Sequence, residues 1–147
     1  MMRFLRPACI ALPLKARRKP DAIEELIALL EAEGLLENVE DVRKDVFVRE
    51  KQMSTGLTEG LAIPHARSEG AKDVAIALGL TPEGIEFASL DMEPARAIFL
   101  VVSPVDQTSA YLQCLAEISS FYARPDVRER LPKSKTVAEV LTIIGCP

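Results

Sequence analysis

Residues 97–102 read AIFLVV, an unbroken apolar run with the length of a strand that is buried on both faces of a sheet. Upstream, residues 74–80 (VAIALGL) alternate larger apolar side chains with alanine and glycine, which is the period-two pattern of a second strand. Residues 9–14 and 61–65 are shorter apolar segments that each contain a proline, which favours strands at a sheet edge. Residues 82–87 predict a turn at Pro-Glu-Gly followed by a short strand that pairs back.

The segments outside these strands have the 3.6-residue period of amphipathic helices. In the first of them, Ile23, Leu26, Ile27 and Leu30 fall at positions i, i+3, i+4 and i+7. Gly34 suits the left-handed residue after the end of that helix. Helices are expected at residues 20–33, 39–51, 106–123, 125–131 and after residue 134, with Asn38 and Ser134 as N-caps. Helices at both ends of a set of central strands predict a three-layer α/β/α sandwich.

Composition excludes several classes of function. A net charge of −4 and a pI near 5.1 argue against nucleic-acid binding by bulk electrostatics. The single histidine, His65, rules out zinc sites built from two or three imidazoles. Three widely spaced cysteines form no CxxC pair and are typical of reduced thiols. We therefore expect a cytoplasmic protein with no membrane insertion, since no run approaches about 18 apolar residues.

Residues 49–67 (REKQMSTGLTEGLAIPHAR) combine a cation, hydroxyls, glycines and the only imidazole. Arg49 can neutralise phosphoryl charge, and Ser54, Thr55 and Gly56 can form a polar loop that turns donors toward an anion. His65 is a potential nucleophile, because neutral imidazole has an unshared electron pair. Each residue also has a plainer interpretation: a structural histidine, a solvated helix-end cation, or turn and cap residues. The basic residues at 15, 17, 18 and 19 are interpreted as a solvated turn.

The pattern RE…STGL..GLAIPHAR closely resembles the phosphorylation motif of type-2 IIA domains of the bacterial phosphoenolpyruvate-dependent sugar phosphotransferase system. This group includes the fructose- and mannitol-type IIA domains and the nitrogen-regulatory IIA protein. Residues 84–91, 97–104 and 111–131 are also similar to the family. The resemblance covers about residues 9–145 and implies one domain over residues 1–147 with a mixed, about five-stranded central sheet.

The resemblance implies a phosphotransferase that works as a phosphoryl carrier and requires no metal and no cofactor. His65 matches the histidine that accepts phosphate from the carrier protein HPr and, in sugar-type members, passes it to a cysteine on a IIB partner. Arg49 matches the arginine that stabilises the phosphoryl group, and residues 54–56 match the loop around it. An apolar rim around His65 is expected from Leu57, Leu61 and Ile63.

Tyr111 departs from the family pattern, which often has a second histidine at this position. The phenol can hydrogen-bond a phosphoryl oxygen or orient His65, or it can simply pack at the helix start. Cys114, three residues further on, is expected in the core. Two alternatives to a carrier stay open: a regulatory binding module that docks on target proteins, and a degenerate member that no longer takes phosphate. The choice between a sugar role and nitrogen regulation is open as well.

Overall fold

A computed structural model describes residues 2–145, and Cys146 lies outside this part of the chain. The strands are β1 (Leu5–Ala11), β2 (Leu61–Ala62), β3 (His65–Arg67), β4 (Ala75–Ile85) and β5 (Ala95–Ser103). The α-helices are α1 (Lys19–Ala32), α2 (Val39–Gln52), α3 (Thr108–Tyr122), α4 (Pro125–Arg130) and α5 (Val137–Gly145). Two short 3-10 helices span Met2–Phe4 and Leu131–Lys133.

The described residues form a mixed five-stranded sheet in the order β1-β4-β5, with β2 and β3 both paired to β5. Strand β5 is antiparallel to β4 and parallel to β2 and β3, while β1 is parallel to β4. Every residue from Ala97 to Ser103 is buried, so the apolar run that indicated a doubly covered strand lies inside the sheet. The predicted mixed α/β sheet flanked by helices is confirmed.

Helices cover this sheet with the apolar faces that the 3.6-residue period predicted. Ile23, Leu26, Ile27 and Leu30 of α1 are fully buried, and α1 packs against β1 and β4. Helix α2 packs against β3, α3 against β5 and α5 against β1. Gly34 has a φ of +70°, as expected for the left-handed residue that follows a helix.

The predicted strand at residues 61–65 is in fact two strands separated by Ile63 and Pro64. Pro64 has no backbone N–H, and the Ile63 N–H donates to the Thr55 carbonyl instead of to the sheet. The Pro64 carbonyl accepts a hydrogen bond from Val101, so pairing with β5 resumes at once. His65 is therefore the first residue of β3, in register with Val101.

The other strand boundaries also differ from the prediction. Strand β1 begins four residues before residue 9, and the exposed side chain of Pro7 is accommodated because this strand forms the sheet edge. The separate strand expected at residues 85–87 does not form. Strand β4 instead continues to Ile85, which pairs with Ala95, and its register shifts near Gly84, where φ is +86°.

One of the two predicted helix caps is correct. The Asn38 side chain accepts a hydrogen bond from the Asp41 N–H at the start of α2, as expected. Ser134 is not the cap of α5, because the Thr136 hydroxyl accepts from the Glu139 N–H and the Glu139 carboxylate accepts from the Lys135 N–H. The capping residue is thus two positions later than the sequence suggested.

Candidate functional site

The His65 ring is oriented by a backbone carbonyl two residues away. Its Nδ1 lies 2.5 Å from the Ile63 carbonyl oxygen. A carbonyl oxygen can only accept a hydrogen bond, so Nδ1 carries the proton and the neutral ring has its unshared pair on Nε2. The break in the strand at Ile63 and Pro64 thereby determines which ring nitrogen keeps the unshared pair.

The environment of His65 favours the neutral ring. Partial burial lowers its pKa below the ordinary value of 6.5, and the positive charge of Arg49 lowers it further. The hydrogen bond to Ile63 and the carboxylate of Glu50 act in the opposite direction without reversing the shift. Near neutral pH the imidazole is therefore uncharged and nucleophilic.

Arg49 lies in the last turn of α2 and lines a groove beside the site. Its Nη1 donates to the Met53 carbonyl at 2.8 Å, which holds the guanidinium at the beginning of the polar loop. The groove has a volume of about 610 Å³, and Arg67, Thr108 and Tyr111 line it together with Arg49. We call it the Arg49–Tyr111 groove. Its two guanidiniums make it suited to an anionic group.

Residues 54–56 are held in place by internal hydrogen bonds. The Ser54 hydroxyl donates to the Phe87 carbonyl at 2.6 Å and accepts from the Gly56 N–H at 3.1 Å. The Thr55 hydroxyl donates to Glu50 at 2.9 Å, and Thr55 is buried. Both hydroxyl protons are thus used within the scaffold, and a direct contact of this loop with a phosphoryl group stays a prediction.

Gly56 is required by close packing against the loop that follows β4. A Cβ at this position would lie 2.8 Å from the Phe87 carbonyl oxygen and 2.9 Å from the Ser89 Cα. Because both atoms belong to the backbone, they cannot give way by a rotamer change. The glycine therefore permits the 54–56 loop to approach residues 87–89.

Lys19 and Glu50 belong to the site's support, and sequence reasoning missed both. The Lys19 ammonium lies 3.0 Å from Glu50 Oε1, donates to Ser54 at 3.2 Å and lies over the Phe87 ring at 4.8 Å. The interpretation of residue 19 as part of a solvated turn is therefore wrong. A signal was present, since Glu50 follows Arg49 directly in the motif, but its partner is far away in the sequence.

Tyr111 lies beside His65, with ring centroids 6.0 Å apart and planes tilted by 52°. The side chain is buried, and this burial raises the phenol pKa to about 12. Arg49 and Arg67 both act to lower that pKa, which places the two cations near the phenol. Tyr111 thus packs at the start of α3 and also borders the histidine as a neutral group.

Two further sequence predictions have clear outcomes. Cys114 is buried, as expected, and burial raises its thiol pKa. The predicted apolar rim is wrong for Leu61 and Ile63, because both are buried in the core. The exposed apolar side chains that line the Arg49–Tyr111 groove are Val48, Val105 and Leu112.

Two negative findings apply to residues 2–145. No cluster of three or more His, Cys, Asp and Glu side chains is arranged to hold a metal ion there. No helix within that range has the length and apolar character needed to cross a membrane.

The described residues thus combine a mixed α/β sheet with an oriented histidine beside a cationic groove. The sequence model of the family described as "Phosphoenolpyruvate-dependent sugar phosphotransferase system, EIIA 2" matches residues 3–145. The chain belongs to this family, which makes it a type-2 IIA component of the phosphotransferase system.

The relatives include sugar-specific components and nitrogen regulatory proteins. The chain is 30% identical over 136 residues to the fructose-specific EIIABC component of Bacillus subtilis. This match covers 92% of the chain but only 21% of that protein. It is 32% identical to the nitrogen regulatory protein of Pseudomonas aeruginosa, over 82% of this chain and 79% of that one. The structure of the nitrogen regulatory protein IIA-Ntr from Neisseria meningitidis superposes with a TM-score of 0.87 at 32% identity, covering 97% of each chain.

Proposed function

We propose that this chain carries a phosphoryl group on Nε2 of His65, accepting it from the phosphohistidine of an HPr-type carrier. The observation that supports this most directly is the hydrogen bond between Nδ1 and the Ile63 carbonyl, which leaves the unshared pair of the neutral ring on Nε2. The lowered pKa of His65 supports the same role, because a protonated ring cannot attack phosphorus.

In the proposed step, Nε2 forms a bond to phosphorus while the bond between phosphorus and the donor imidazole breaks. The electron pair of the broken bond returns to the donor nitrogen. No proton has to leave His65, because Nδ1–H stays bonded to the Ile63 carbonyl. The positive charge that develops on the phosphorylated ring is stabilised by this carbonyl and by the field of Glu50, the two influences that raise the His65 pKa.

Arg49 is the proposed phosphoryl-stabilising cation. Its Nη1 is held by the Met53 carbonyl, so the guanidinium is oriented before the phosphoryl group arrives. Phosphoryl transfer is catalysed mainly by positioning and by charge stabilisation, and an oriented arginine supplies both. Residues 54–56 contribute through their position. They follow Met53 directly, and the Thr55 carbonyl accepts a hydrogen bond from the Ile63 N–H at the strand break.

The proposed onward acceptor is a cysteine of a IIB partner, in a sugar-transport role, within the cytoplasm. The nitrogen-regulatory role is the second candidate, because relatives with the two descriptions are about equally similar to this chain in sequence. In that role the phosphorylation state of His65 alters docking on a target protein, without onward transfer. A degenerate member that takes no phosphate is the third alternative, suggested by Tyr111 in place of the second histidine.

The decisive experiment supplies phosphoenolpyruvate, the first enzyme of the system and HPr, and measures acid-labile phosphate on the protein. We expect labelling of the wild type and its complete loss in His65→Ala. Because His65 is only partly buried, this variant is expected to remain folded, which circular dichroism checks. If competent partners produced no label on the wild type, the carrier proposal would be wrong and the degenerate alternative would be supported.

A second stage separates the two functional branches. The labelled protein is mixed with IIB domains, and the disappearance of the label is followed. Transfer to a IIB cysteine supports the sugar role, whereas stable label on all of them supports regulation. Arg49→Ala is expected to slow labelling by about 10²–10³-fold while the protein stays folded, since one positioned donor contributes on this order.

A further inference from the structure

Arg67 lies two residues after His65 on β3, at the wall of the Arg49–Tyr111 groove. Side chains at i and i+2 of a strand point to the same side, and the exposure of β3 follows this rule. His65 is half-buried, Ala66 is buried and Arg67 is exposed. The strand therefore directs the imidazole and the second guanidinium toward the same face.

The Arg67 side chain is held at the wall of the Arg49–Tyr111 groove. Its Nη1 donates to the Thr108 hydroxyl at 2.9 Å, which connects β3 to the first residue of α3. One turn further along α3 lies Tyr111, whose ring is the neighbour of His65. Only one guanidinium nitrogen is used by Thr108, and the planar fork has further donors that can bind phosphoryl oxygens in a bidentate manner.

The charge balance of the groove favours an anion near these donors. Arg49 and Arg67 both border it, and the carboxylate among its lining residues is that of Asp45. Both arginines act on the Tyr111 phenol, and Arg49 also acts on His65. The phenol itself remains neutral below about pH 12 and supplies no charge.

We propose that Arg67 is a second phosphoryl-binding cation, which supplies the positive charge that Tyr111 cannot provide. With Nη1 on Thr108, the remaining donors of Arg67 bind oxygens of the phosphoryl group on His65 Nε2. This inference rests on the proposed carrier function and adds a residue to its site.

The test compares Arg67→Ala with Arg67→Lys and with Arg17→Ala. Arg17 is a matched control because its removal changes the net charge equally, at a side chain that is 87% exposed and whose ion-pair partner, Glu83, is almost as exposed. The first measurement is the single-turnover rate of phosphoryl transfer from phosphorylated HPr to His65. We expect at least a tenfold decrease in Arg67→Ala, partial recovery in Arg67→Lys and a rate within twofold of wild type in Arg17→Ala.

A second measurement distinguishes phosphoryl binding from a structural role. The ³¹P resonance of phosphorylated His65 is titrated with pH, which reports the pKa of the phosphoryl group. A bound cation favours the dianion, so its removal in Arg67→Ala is expected to raise that pKa, whereas loss of stability alone would not. Arg17→Ala serves again as the control.

The possible outcomes are distinct. Labelled wild type, with Arg67→Ala and Arg17→Ala equal in rate and in ³¹P titration, would overturn the role of Arg67 and leave the carrier function intact. A wild type that takes no label would overturn both proposals. A tenfold slower Arg67→Ala with a raised phosphoryl pKa is the supporting result.

Discussion

Lys19 Nζ lies 3.0 Å from Glu50 Oε1, and this ion pair joins the first residue of α1 to the last turn of α2. The Glu50 side chain is only 7% exposed and also accepts hydrogen bonds from the N–H and the hydroxyl of Thr55. Lys19 also donates hydrogen bonds to the Ser54 hydroxyl and to the Phe87 carbonyl. The pair thus connects both helices to the 54–56 loop.

Replacement of Lys19 by methionine is expected to lower the free energy of unfolding by about 1–3 kcal/mol, since it leaves a buried carboxylate without its cation. Labelling of His65 should also slow, because the 54–56 loop loses one of its supports. Urea denaturation and the labelling rate are the measurements. Arg17→Met is the control, because Arg17 and Glu83 are both more than four-fifths exposed and 3.8 Å apart. Equal stability of the two variants would contradict the role of the pair.

Gly56→Ala is expected to cost about 1–3 kcal/mol of stability, because the new methyl group overlaps backbone atoms of residues 87–89. It should also reduce the labelling rate of His65, since the loop must move. Gly79→Ala is the matched control: its Cβ would lie 2.6 Å from Leu14 side-chain atoms, in the core and away from the site. We expect Gly79→Ala to lose stability and keep the labelling rate. A normal rate in both folded variants would argue against a role of the loop in positioning.

The lone histidine allows a direct titration. Because the folded pKa of His65 lies below 6.5, the unfolded chain binds a proton first as pH falls, and stability contributed by the neutral ring decreases below about pH 6.5. The Cε1–H resonance should therefore titrate with a midpoint below that of the urea-unfolded protein. The labelling rate should stay level down to the same midpoint. A folded midpoint at or above the unfolded one would contradict a partly buried ring that favours the neutral form.

The two tyrosines allow a second titration, since the chain has no tryptophan. Burial raises the pKa of both Tyr111 and Tyr122 to about 12. The folded protein should therefore show almost no tyrosinate absorbance at pH 10.5, whereas the urea-unfolded chain should be more than half ionised, as its phenols titrate near about 10. Stability should decrease from pH 10 upward, because only the unfolded chain releases these protons. Appearance of half the tyrosinate signal in folded protein at pH 10.5 would show that one phenol is exposed.

The cap of α5 predicts opposite results for two neighbouring residues. Thr136→Ala should cost about 1 kcal/mol in urea denaturation, because the Glu139 N–H loses its acceptor. Ser134→Ala should be neutral or slightly stabilising, since the buried Ser134 hydroxyl has no hydrogen-bond partner within the described residues. A larger loss for Ser134→Ala would restore Ser134 as the capping residue.

Much of this molecule is determined by local patterns in the sequence. The apolar run in β5, the helical period of α1 and the Asn38 cap depend on residues within a few positions of one another, so periodicity and side-chain chemistry predicted them. The motif around His65 identified the family for the same reason, since its residues are close in sequence.

Tertiary structure decided the features that join distant segments. The pairing of Lys19 with Glu50, the position of Tyr111 beside His65 and the link from Arg67 to Thr108 depend on how helices are placed on the sheet. The tautomer of His65 was also beyond the sequence, since it follows from where the strand breaks at Pro64. Sequence patterns report the period of a segment and which face is apolar, but the partner that lies opposite a side chain depends on strand register and helix packing.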